Sequence, residues 1–506
     1  MAHDAQPTGP DLRAGVALAD VPSQGVLAGH VDGEAVLLAR LDDGLHAVGG
    51  ACTHYGAPLA EGLVANGEIH CPWHHACFSL RTGAALKAPA FAPLSRWKVE
   101  TIGDRVFVRE QDETPSPPPA PIASAPERIV IIGGGGAGFA AAERLRALGF
   151  DGTLTMLSAD RDPPCDRPNL SKDYLAGTAP AEWIPLREPE FYSSQRIDLR
   201  LDREVDSIDL HAREVRTMTG ERHGYDRLLL ATGAMPSWLS LPGFDLPNVH
   251  CLGSLSDAGK LIANCANARR IAVVGAGFIG LEAAGALRAR GLEVHVAAPE
   301  PLPMARLLGP ELGRFLVDLH QRNGVRFHLG SGAVAYDGHA LALANGESID
   351  ADLLLVGIGV VPRVRLAENA GLAVRKGILV DARLRTSAEH VYAAGDVARY
   401  PHGDGDARIE HWVHAQRQGQ LAAENMLGGE QAFDEVPFFW THHHGLDLRV
   451  CGYLDGWDEV RIDGDLQQHD FIARYFHDGR LVAAASLGRD RALLEVAQEL
   501  RIAATA

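Results

Sequence analysis

Two glycine-rich stretches of one design constrain the fold of this 506-residue chain more than any other feature. RIVIIGGGGAGFAAAERLRALG begins at residue 128 and RRIAVVGAGFIGLEAAGALRARG at residue 269. Each joins a β-branched run to an alanine-rich amphipathic helix through a Gly-x-Gly-x-x-Gly turn, whose glycines let a pyrophosphate approach the helix N–H groups. The pattern therefore predicts two dinucleotide-binding units, each built on a parallel sheet. The fingerprint glycines are Gly133, Gly135 and Gly138, then Gly275, Gly277 and Gly280.

The regions on either side of these units are typical of β structure. The first ~110 residues carry short alternating runs such as AVLLARL and RWKVETIG, which predict a small all-β domain. Next, QDETPSPPPAPIASAPE has six prolines between residues 115 and 126 and predicts a semi-rigid linker. The expected fold class is multidomain α/β plus all-β. We place the boundaries at 10–111 for the all-β domain, 112–126 for the linker, 127–247 with 372–430 for the first dinucleotide domain, 248–371 for the second, and 431–506 for a C-terminal α+β domain.

The overall composition excludes several partners. Sixty-five acidic against 47 basic residues leave a formal charge of −18, which argues against nucleic acid or an anionic membrane as the main partner. The longest apolar stretch, 271–287, is broken by glycines and Glu282, so no membrane span is predicted. No secretory signal is visible at the N-terminus, and seven cysteines, an odd number, favour a reducing cytoplasm over a disulfide framework.

Residues 52–78, CTHYGAPLAEGLVANGEIHCPWHHACF, concentrate three cysteines and four histidines. A Cys-x-His pair and a Cys-x-x-His pair, sixteen residues apart, supply the four candidate metal ligands Cys52, His54, Cys71 and His74. Zinc could bind two thiolates and two imidazoles, and this interpretation stays open. The spacing resembles that of a Rieske centre, where a 2Fe–2S cluster has one iron on two cysteines and the other on two histidines. We predict that His70, His75 and Cys77 are not ligands.

Two later segments, YDRLLLATGAMP and VYAAGDVA, are candidates for binding a flavin. Together with the first fingerprint they resemble the three FAD-binding segments of the flavoprotein reductases that have two dinucleotide domains. The residues that match are Ala231, Thr232, Gly233, Gly395 and Asp396. The resemblance implies that Asp396 hydrogen-bonds the ribityl chain of FAD.

The stretch PPCDRPNLSKDYLAG, residues 163–177, resembles the segment that covers the flavin in ferredoxin reductases of aromatic-ring oxygenase systems and in apoptosis-inducing factor. The resemblance implies that Arg167 contacts FAD and that Lys172 lies by the flavin N5, paired with Glu282. A cation there would stabilise the charge that arrives with a hydride, and the glutamate would hold the cation in place. The alternative is an ordinary surface Lys–Glu pair.

The second dinucleotide is expected to be a nicotinamide. LLLVGIGVVP, residues 353–362, resembles the closing segment of the family's NAD domain and would place Gly359 near the nicotinamide. The acid expected at the end of the second strand is missing, since Ala298 stands there and Glu300 follows two positions later. No arginine directly follows the strand, which favours NADH, and Arg306 keeps NADPH open.

Two tryptophans and one cysteine complete the candidate site. Trp412 and Trp440 resemble family aromatics that reach the flavin, and core packing is the alternative for both. Cys165 lies near the position where disulfide and peroxide reductases carry a redox-active thiol, but its local sequence differs and an inert packing role is expected. The run His442–His444 follows an apolar strand, where neighbouring side chains face opposite sides, so we predict no metal there.

Over nearly its full length the chain resembles the Rieske-containing, apoptosis-inducing-factor-like reductases. Its FAD/NAD part also resembles rubredoxin, putidaredoxin and ring-dioxygenase ferredoxin reductases. The resemblance implies an NADH-dependent flavoprotein with FAD and one Rieske-type 2Fe–2S cluster. Electrons would pass from NADH through FAD to the cluster and then to an external ferredoxin- or oxygenase-type acceptor. Whether the chain forms a homodimer stays open. The alternatives are an NADH-responsive interaction protein, or a thiol or peroxide reductase that uses Cys165.

Overall fold

The computed structural model describes residues 8–114, 126–403 and 405–505, so residues 115–125 of the predicted linker lie outside the described residues. The N-terminal domain consists of two antiparallel sheets, which confirms the predicted all-β domain. The larger sheet has the strand order Val16–Ala17, Arg105–Gln111, Arg96–Ile102, Gly44–Gly49, Glu34–Leu41 and Val26–Val31. The smaller sheet contains Leu63–Ala65, Glu68–His70, Cys77–Ser79 and Ala85–Lys87. Short 3-10 turns lie at Leu18–Asp20 and Leu59–Glu61.

The first glycine-rich stretch opens a parallel five-stranded sheet, as its pattern predicts. Its strand order is Ile197–Arg200, Thr153–Leu157, Arg128–Ile132, Arg227–Leu230 and Val391–Ala393. The helices of this part are Gly136–Ala147, Asp173–Ala176, Pro189–Ser194 and Trp412–Met426, with 3-10 turns at Arg167–Ser171 and Ala181–Trp183. Two small sheets flank it, one of Val205–Asp209, Glu214–Thr217 and Arg222–Gly224, the other of Ile378–Leu379, Ala398–His402 and Gly405–Ala407.

The second glycine-rich stretch lies at the centre of a second parallel sheet of five strands. The order is Val249–His250, Leu353–Val356, Arg270–Val274, Glu293–Ala298 and Val325–Leu329. The helices here are Leu255–Cys265, Phe278–Ala289 and Ala305–Arg322. The helix Arg365–Asn369 instead packs through Ala367 into the apolar core of the first dinucleotide unit. A small sheet contains Ala333–Tyr336, Ala340–Leu343 and Ser348–Asp350, and the strands Ala234–Pro236 and Val360–Pro362 pair to tie the two dinucleotide units together.

The C-terminal region is an antiparallel sheet covered by one helix, Asp490–Thr505. Its strand order is Phe438–His443, Leu446–Gly452, Arg480–Leu487, Asp470–His477 and Glu459–Asp465. Phe471 and Tyr475 of this sheet share one buried apolar cluster with Leu287 and Val296 of the second dinucleotide unit. The sheet is therefore anchored on that unit, which fixes its first strand beside the helix of the second fingerprint. No helix in the described part of the chain is both long and apolar enough to cross a membrane.

Candidate functional site

The first fingerprint forms an open cradle at the start of a helix. Gly133 has φ 119°, and a Cβ there would collide with the carbonyl of Ala231. A Cβ on Gly138 would collide with the carbonyl of Gly133, so only glycine allows this close turn. A Cβ on Gly135, in contrast, would meet nothing within 4 Å, which leaves room in front of the N–H groups of the helix Gly136–Ala147. The space and the donors fit the pyrophosphate of a dinucleotide.

The second fingerprint has the same geometry. Gly275 has φ 112° and its Cβ position faces the carbonyl of Gly357, whereas a Cβ on Gly280 would collide with Gly275. Around Gly277 there is again nothing within 4 Å, at the start of the helix Phe278–Ala289. The chain thus holds two pyrophosphate cradles, at the carboxyl ends of two parallel sheets.

The other predicted FAD residues lie at the same edge as the first cradle. Ala231, Thr232 and Gly233 follow the strand Arg227–Leu230, and Gly395 and Asp396 follow Val391–Ala393. The backbone N–H of Gly395 donates to Gln418 Oε1 at 2.8 Å, which fixes this turn against the helix Trp412–Met426. Burial raises the pKa of Asp396 to about 6, and the nearby Glu410 carboxylate adds to the rise. A partner that donates hydrogen bonds to Asp396, as a ribityl hydroxyl does, would satisfy this carboxyl group.

Trp412 is brought to the first cradle by close helix packing. The helix Trp412–Met426 crosses the helix Gly136–Ala147 at Gly419, where a Cβ would collide with the carbonyl of Ala137. As a result, the Trp412 ring lies 3.0 Å from the Cβ position of Gly136. Trp412 also lines, together with His54, Tyr55 and Asp166, a cavity of about 170 Å³ between the N-terminal domain and the first dinucleotide unit. The ring therefore stands beside the predicted flavin site, and its contact with a flavin stays a prediction.

The segment 163–177 folds over the edge between the two dinucleotide units. The Arg167 guanidinium pairs with Asp160 at 2.8 Å and donates to the carbonyl of Gly253 at 2.9 Å. Asp160, which follows the strand Thr153–Leu157, thus positions the arginine predicted to contact FAD. Cys165 of the same segment is 7% exposed and packs with Leu170 and other apolar side chains.

Lys172 and Glu282 form the predicted pair, with Nζ 2.8 Å from Oε2 and side chains only 11% and 5% exposed. Ser171 Oγ donates to the same carboxylate oxygen at 2.6 Å, and Thr441 Oγ1 donates to the other at 2.7 Å. Two separate parts of the chain, residues 171–172 and the strand that carries Thr441, therefore converge on one buried carboxylate. Lys172 and Glu282 thus form a buried ion pair in which both carboxylate oxygens accept hydrogen bonds. This differs from the ordinary surface pair that was the alternative.

Trp440 connects this pair to the N-terminal domain. Its ring centroid lies 5.6 Å from Lys172 Nζ, within the range of a cation–π contact, and 4.2 Å from the ring of His74. The tryptophan thus lies between the lysine predicted to face the flavin and a predicted metal ligand. This contact joins residues that are distant in sequence into one site.

Tyr55, which directly follows the predicted ligand His54, forms a second contact between the domains. Its ring stacks on His54 with centroids 3.9 Å apart, and its hydroxyl donates to the carboxylate of Asp166. Asn169 Nδ2 donates to the same hydroxyl at 2.9 Å. Asp166 and Asn169 belong to the segment 163–177, so one ligand loop rests directly on the predicted cover of the flavin. Sequence reasoning assigned Tyr55 no role.

The four predicted ligands lie together in the two loops of the N-terminal domain. Cys52 and Cys71 are 3% and 1% exposed, and the Cys71 thiol lowers the pKa of its neighbour Cys52. The two imidazoles meet through their Nδ1 atoms, 3.2 Å apart, and burial lowers the pKa of His54 to about 3, so the ring is neutral. Two thiols on one side and two neutral imidazole nitrogens on the other match a cluster with two cysteines on one iron and two histidines on the second.

A second group of potential ligand atoms lies in the same domain. Among the described residues, the Glu68, His70 and Cys77 side chains place their ligand atoms within 4.8 Å of one another. The Cys77 thiol donates to Glu68 Oε2 at 3.1 Å, so the group is explained by its own hydrogen bonding. His75 is buried, and its ring stacks on Phe438 with centroids 3.9 Å apart. That His70, His75 and Cys77 are not cluster ligands stays a prediction.

Two nearly buried arginines fasten the second ligand loop. Arg417 donates to the carbonyl of His75 at 2.6 Å and pairs with Glu435 at 3.0 Å. Arg449 Nε donates to the carbonyl of Trp73 at 2.9 Å. Burial alone would raise the pKa of Glu435, but the charges of Arg417 and Lys87 lower it to about 2. No motif marked these contacts, which sequence reasoning missed.

The predicted nicotinamide side is more open. Gly359 has φ 97° and lies directly before the strand Val360–Pro362. The strand Glu293–Ala298 ends at the buried Ala298, which leaves no acid at that point. Arg306, the candidate for a 2′-phosphate, instead pairs with Asp455 at 3.6 Å and is 83% exposed. The preference for NADH over NADPH therefore stays a prediction.

Three family models match the chain in the order of its domains. Residues 16–99 match the Rieske [2Fe-2S] domain, residues 127–419 match the pyridine nucleotide-disulphide oxidoreductases, and residues 438–504 match the reductase C-terminal domain. The first match contains all four predicted metal ligands, and the second contains both fingerprints. The matches imply a 2Fe–2S cluster, FAD and NAD(P)H as the cofactors, and the cradles and ligand loops described above fit all three.

Individual proteins resemble the chain over most of its length. Apoptosis-inducing factor 3 of Homo sapiens is 33% identical over 486 residues, which cover 92% of this chain and 80% of that protein. Rhodocoxin reductase of Rhodococcus erythropolis is 37% identical over 370 residues, covering 72% of this chain and 87% of that protein. The crystal structure of the covalent putidaredoxin reductase–putidaredoxin complex matches with a TM-score of 0.72 and 30% identity, and covers 75% of this chain and 94% of that chain.

Proposed function

Since the chain belongs to the pyridine nucleotide-disulphide oxidoreductases, in the branch of the Rieske-containing, apoptosis-inducing-factor-like ferredoxin reductases, we propose that it passes electrons from NAD(P)H through FAD to its own Rieske cluster. It is an FAD-dependent oxidoreductase, and the further step to its own cluster is the new element of the proposal. When bound, FAD supplies the conversion of a hydride into single electrons, and the cluster supplies a one-electron relay.

The contact of Trp440 with both Lys172 and His74 carries this proposal. Lys172 and its partner Glu282 stand where the family resemblance places the reactive side of the flavin. On the other side of Trp440, His74 belongs to the iron that is ligated by histidine in a Rieske centre. Trp440 therefore lies between a residue predicted to face the flavin and a predicted cluster ligand, which supports electron transfer without a separate carrier protein.

The docked position of the N-terminal domain supports the same route. Arg417 and Arg449 bind carbonyls of the second ligand loop, and Tyr55 binds the flavin-covering segment from the first loop. These contacts hold both histidine-bearing loops against the reductase body. The predicted linker 112–126 keeps the domain tethered, which raises its effective concentration at the flavin above that of a free ferredoxin.

An external protein would then receive single electrons from this chain. Relatives include the ferredoxin–NAD(+) reductase components of the anthranilate 1,2-dioxygenase and biphenyl dioxygenase systems. We therefore propose a ferredoxin or an oxygenase-type protein as the acceptor, with NADH as the preferred donor.

Anaerobic titration with NADH tests the intramolecular step. The visible spectrum follows the flavin, and the EPR spectrum of frozen samples follows the reduced cluster at each addition. We expect both groups to become reduced within one series, without any added carrier. If the flavin is reduced completely while the cluster stays oxidised, the proposed route through the chain is wrong.

The similarity to apoptosis-inducing factor 3 favours one second candidate, an NADH-responsive interaction protein. Such a protein would be reduced slowly by NADH and would keep a long-lived charge-transfer complex. A reductase would instead reduce cytochrome c or ferricyanide rapidly with NADH. Stopped-flow reduction by NADH separates the two candidates in a single experiment.

A thiol or peroxide reductase based on Cys165 is the other alternative, and we expect Cys165→Ser to leave NADH-dependent ferricyanide reduction within about twofold of wild type. Burial raises the pKa of this thiol to about 11, so the nucleophilic thiolate is scarce at neutral pH. Steady-state rates with ferricyanide and with a disulfide or peroxide substrate provide the measurement. Peroxide or disulfide reduction that disappears with Cys165→Ser would instead establish the thiol chemistry.

A further inference from the structure

A row of hydrogen bonds that includes three histidines ends on the buried carboxylate of Glu282. Thr441 Oγ1 lies 2.7 Å from Glu282 Oε1 and 3.1 Å from His443 Nε2. His443 Nδ1 lies 3.1 Å from His320 Nε2, and His320 Nδ1 lies 3.0 Å from His444 Nε2. We refer to Thr441, His443, His320 and His444 as the histidine row. Its first three members are at most 1% exposed, and its outer member, His444, is partly exposed.

The backbone explains why two neighbouring histidines join one row. The strand Phe438–His443 ends at His443, and His444 has a left-handed φ of 52° that turns its ring back to His320. The expectation that neighbouring side chains face opposite sides fails here, because His444 lies outside the strand. His442, which is inside the strand, does point elsewhere and binds Asp447 at 2.7 Å.

Both ends of the row contact the helix Phe278–Ala289, which carries Glu282. At the outer end, the Cβ position of Gly285, three residues after Glu282, lies 3.6 Å from Cε1 of His444. His320 comes from a different helix, Ala305–Arg322, and Thr441 and His443 come from the C-terminal sheet. The row therefore ties three separate elements of the chain to one carboxylate.

The Glu282 carboxylate sets the direction of the hydrogen bonds. Because a carboxylate only accepts, Thr441 donates its single hydroxyl proton to it, and the threonine oxygen must then accept from His443 Nε2–H. A neutral ring that donates through Nε2 accepts through Nδ1, so His320 and His444 must also carry their protons on Nε2. Every member of the row therefore donates inward, towards Glu282.

The three rings are neutral, as this arrangement requires. Burial lowers the pKa of His320 to about 2, that of His443 to about 3 and that of His444 to about 4. A protonated ring would donate from both nitrogens and could not accept from the next ring in the row. Each ring therefore has one proton, and the hydrogen bonds leave that proton one nitrogen.

The position of the Lys172 ammonium depends on how firmly Glu282 is held. Lys172 and Ser171 both donate to Oε2 of Glu282, whereas Thr441 donates to Oε1. A hydroxyl can rotate, but the Thr441 oxygen accepts from His443, so its proton is directed to Glu282. Hydrogen bonds that point in one direction polarise one another, which strengthens the last bond of the row.

We propose that the histidine row is a positioning device for hydride transfer, which fixes Glu282 through Thr441 so that Glu282 holds the Lys172 ammonium at the flavin face. The inference rests on the proposed placement of Lys172 at the reactive side of the flavin, and it deepens that proposal. The four members of the row are positioning residues, because they act through Glu282 and Lys172. The row stays in its resting arrangement throughout the reaction, and no proton moves along it.

Nitrogen-15 NMR of the histidine side chains tests the direction of the row without turnover. In the oxidised holoprotein, His443, His320 and His444 should all be in the Nε2–H tautomer. A wild-type ring of the three that carries its proton on Nδ1 would overturn the proposal, because Thr441 would then lack the donor that directs its hydroxyl. This measurement uses the wild-type chain, so it does not depend on the folding of any variant.

Stopped-flow reduction of the holoenzyme by NADH tests the positioning role. Thr441→Val keeps the shape of the side chain but removes the donor to Glu282 Oε1. We expect the limiting rate of flavin reduction to fall about 10-fold, since a small displacement of a reacting group is costly, while the dissociation constant for NADH stays within about twofold of wild type. Thr441→Ser, the matched control, keeps the hydroxyl and should retain the wild-type rate within about twofold.

A double-mutant cycle with Lys172→Met separates positioning from plain packing. If the row acts through Lys172, adding Thr441→Val to Lys172→Met should change the rate by less than about twofold. An equal fall in both backgrounds, or a wild-type rate in Thr441→Val alone, would overturn the proposal. A wild-type rate in Lys172→Met would overturn it together with its premise. Flavin reduction does not involve the cluster, so failure of the intramolecular route would appear in the NADH titration and not here.

Discussion

Replacing Cys71 with serine is expected to abolish the EPR signal of the reduced cluster and to reduce electron delivery to cytochrome c to background. Cys71 is 1% exposed and lies beside the Cys52 thiol, so its loss removes half of the thiolate ligands of one iron. Reduction of ferricyanide by NADH should stay within about twofold of wild type, because the flavin site lies on separate elements of the chain. Iron content, EPR and the two acceptor assays provide the measurements.

The cysteine six residues further on gives a matched control. Cys77 is as buried as Cys71 and belongs to the same sheet region, but its thiol donates to Glu68 instead of facing the other ligands. Cys77→Ser keeps a donor at this position and should retain the full cluster signal. A cluster that survives Cys71→Ser would refute the ligand assignment. Unchanged cytochrome c reduction without a cluster would mean that electrons leave directly from the flavin.

The residues that could be predicted from the sequence share one property: the structural requirement that selects them acts within a short stretch of the chain. The fingerprint glycines are recognisable because a close turn before a helix excludes any Cβ, as the collisions at Gly133 and Gly138 show. The four predicted cluster ligands stand out because a Rieske centre needs two loops that each present one cysteine and one histidine at fixed spacing. Lys172 was found through a resemblance of its local segment.

The contacts that join the domains could not be predicted in the same way. Arg417 binds the carbonyl of His75 across 342 residues of sequence, and Arg449 binds that of Trp73 across 376. A backbone carbonyl is present at every residue, so nothing in the sequence marks which one an arginine will bind. The role of Tyr55 could not be predicted for the same reason, because its hydrogen bond to Asp166 forms only when the N-terminal domain packs against the reductase body.

The run His442–His444 shows a third reason for the limits of sequence reasoning. The alternation of side chains along a strand was the right rule for His442 and His443, but the strand ends at His443. A single residue with positive φ then places His444 beside the same partner. That partner, His320, comes from a helix more than a hundred residues earlier in the sequence. Only the packing of the C-terminal sheet on this helix shows that the histidine rings meet.

The substitution Lys172→Met is expected to slow the reduction of bound FAD by NADH about 10²–10³-fold, the usual cost of removing one preorganised electrostatic contact. The side chain is 11% exposed and fixed by Glu282, so its charge acts at a defined point beside the predicted flavin position. The same substitution leaves the Glu282 carboxylate buried without a counter-ion, and the free energy of unfolding should fall by about 3–5 kcal/mol. Stopped-flow absorbance gives the rate and urea denaturation gives the stability.

The double variant Lys172→Met with Glu282→Gln separates the two effects. A neutral amide at position 282 can accept from one of the Ser171 and Thr441 hydroxyls through its oxygen and donate to the other hydroxyl through its NH2 group, so no unpaired charge stays buried. Since replacing both members of a buried ion pair is often nearly neutral, stability should return to within about 1 kcal/mol of wild type. The rate of flavin reduction should stay low, because the cation is still missing. Recovery of the rate together with the stability would show that Lys172 only maintains the fold, and the assignment of its charge to hydride transfer would be wrong.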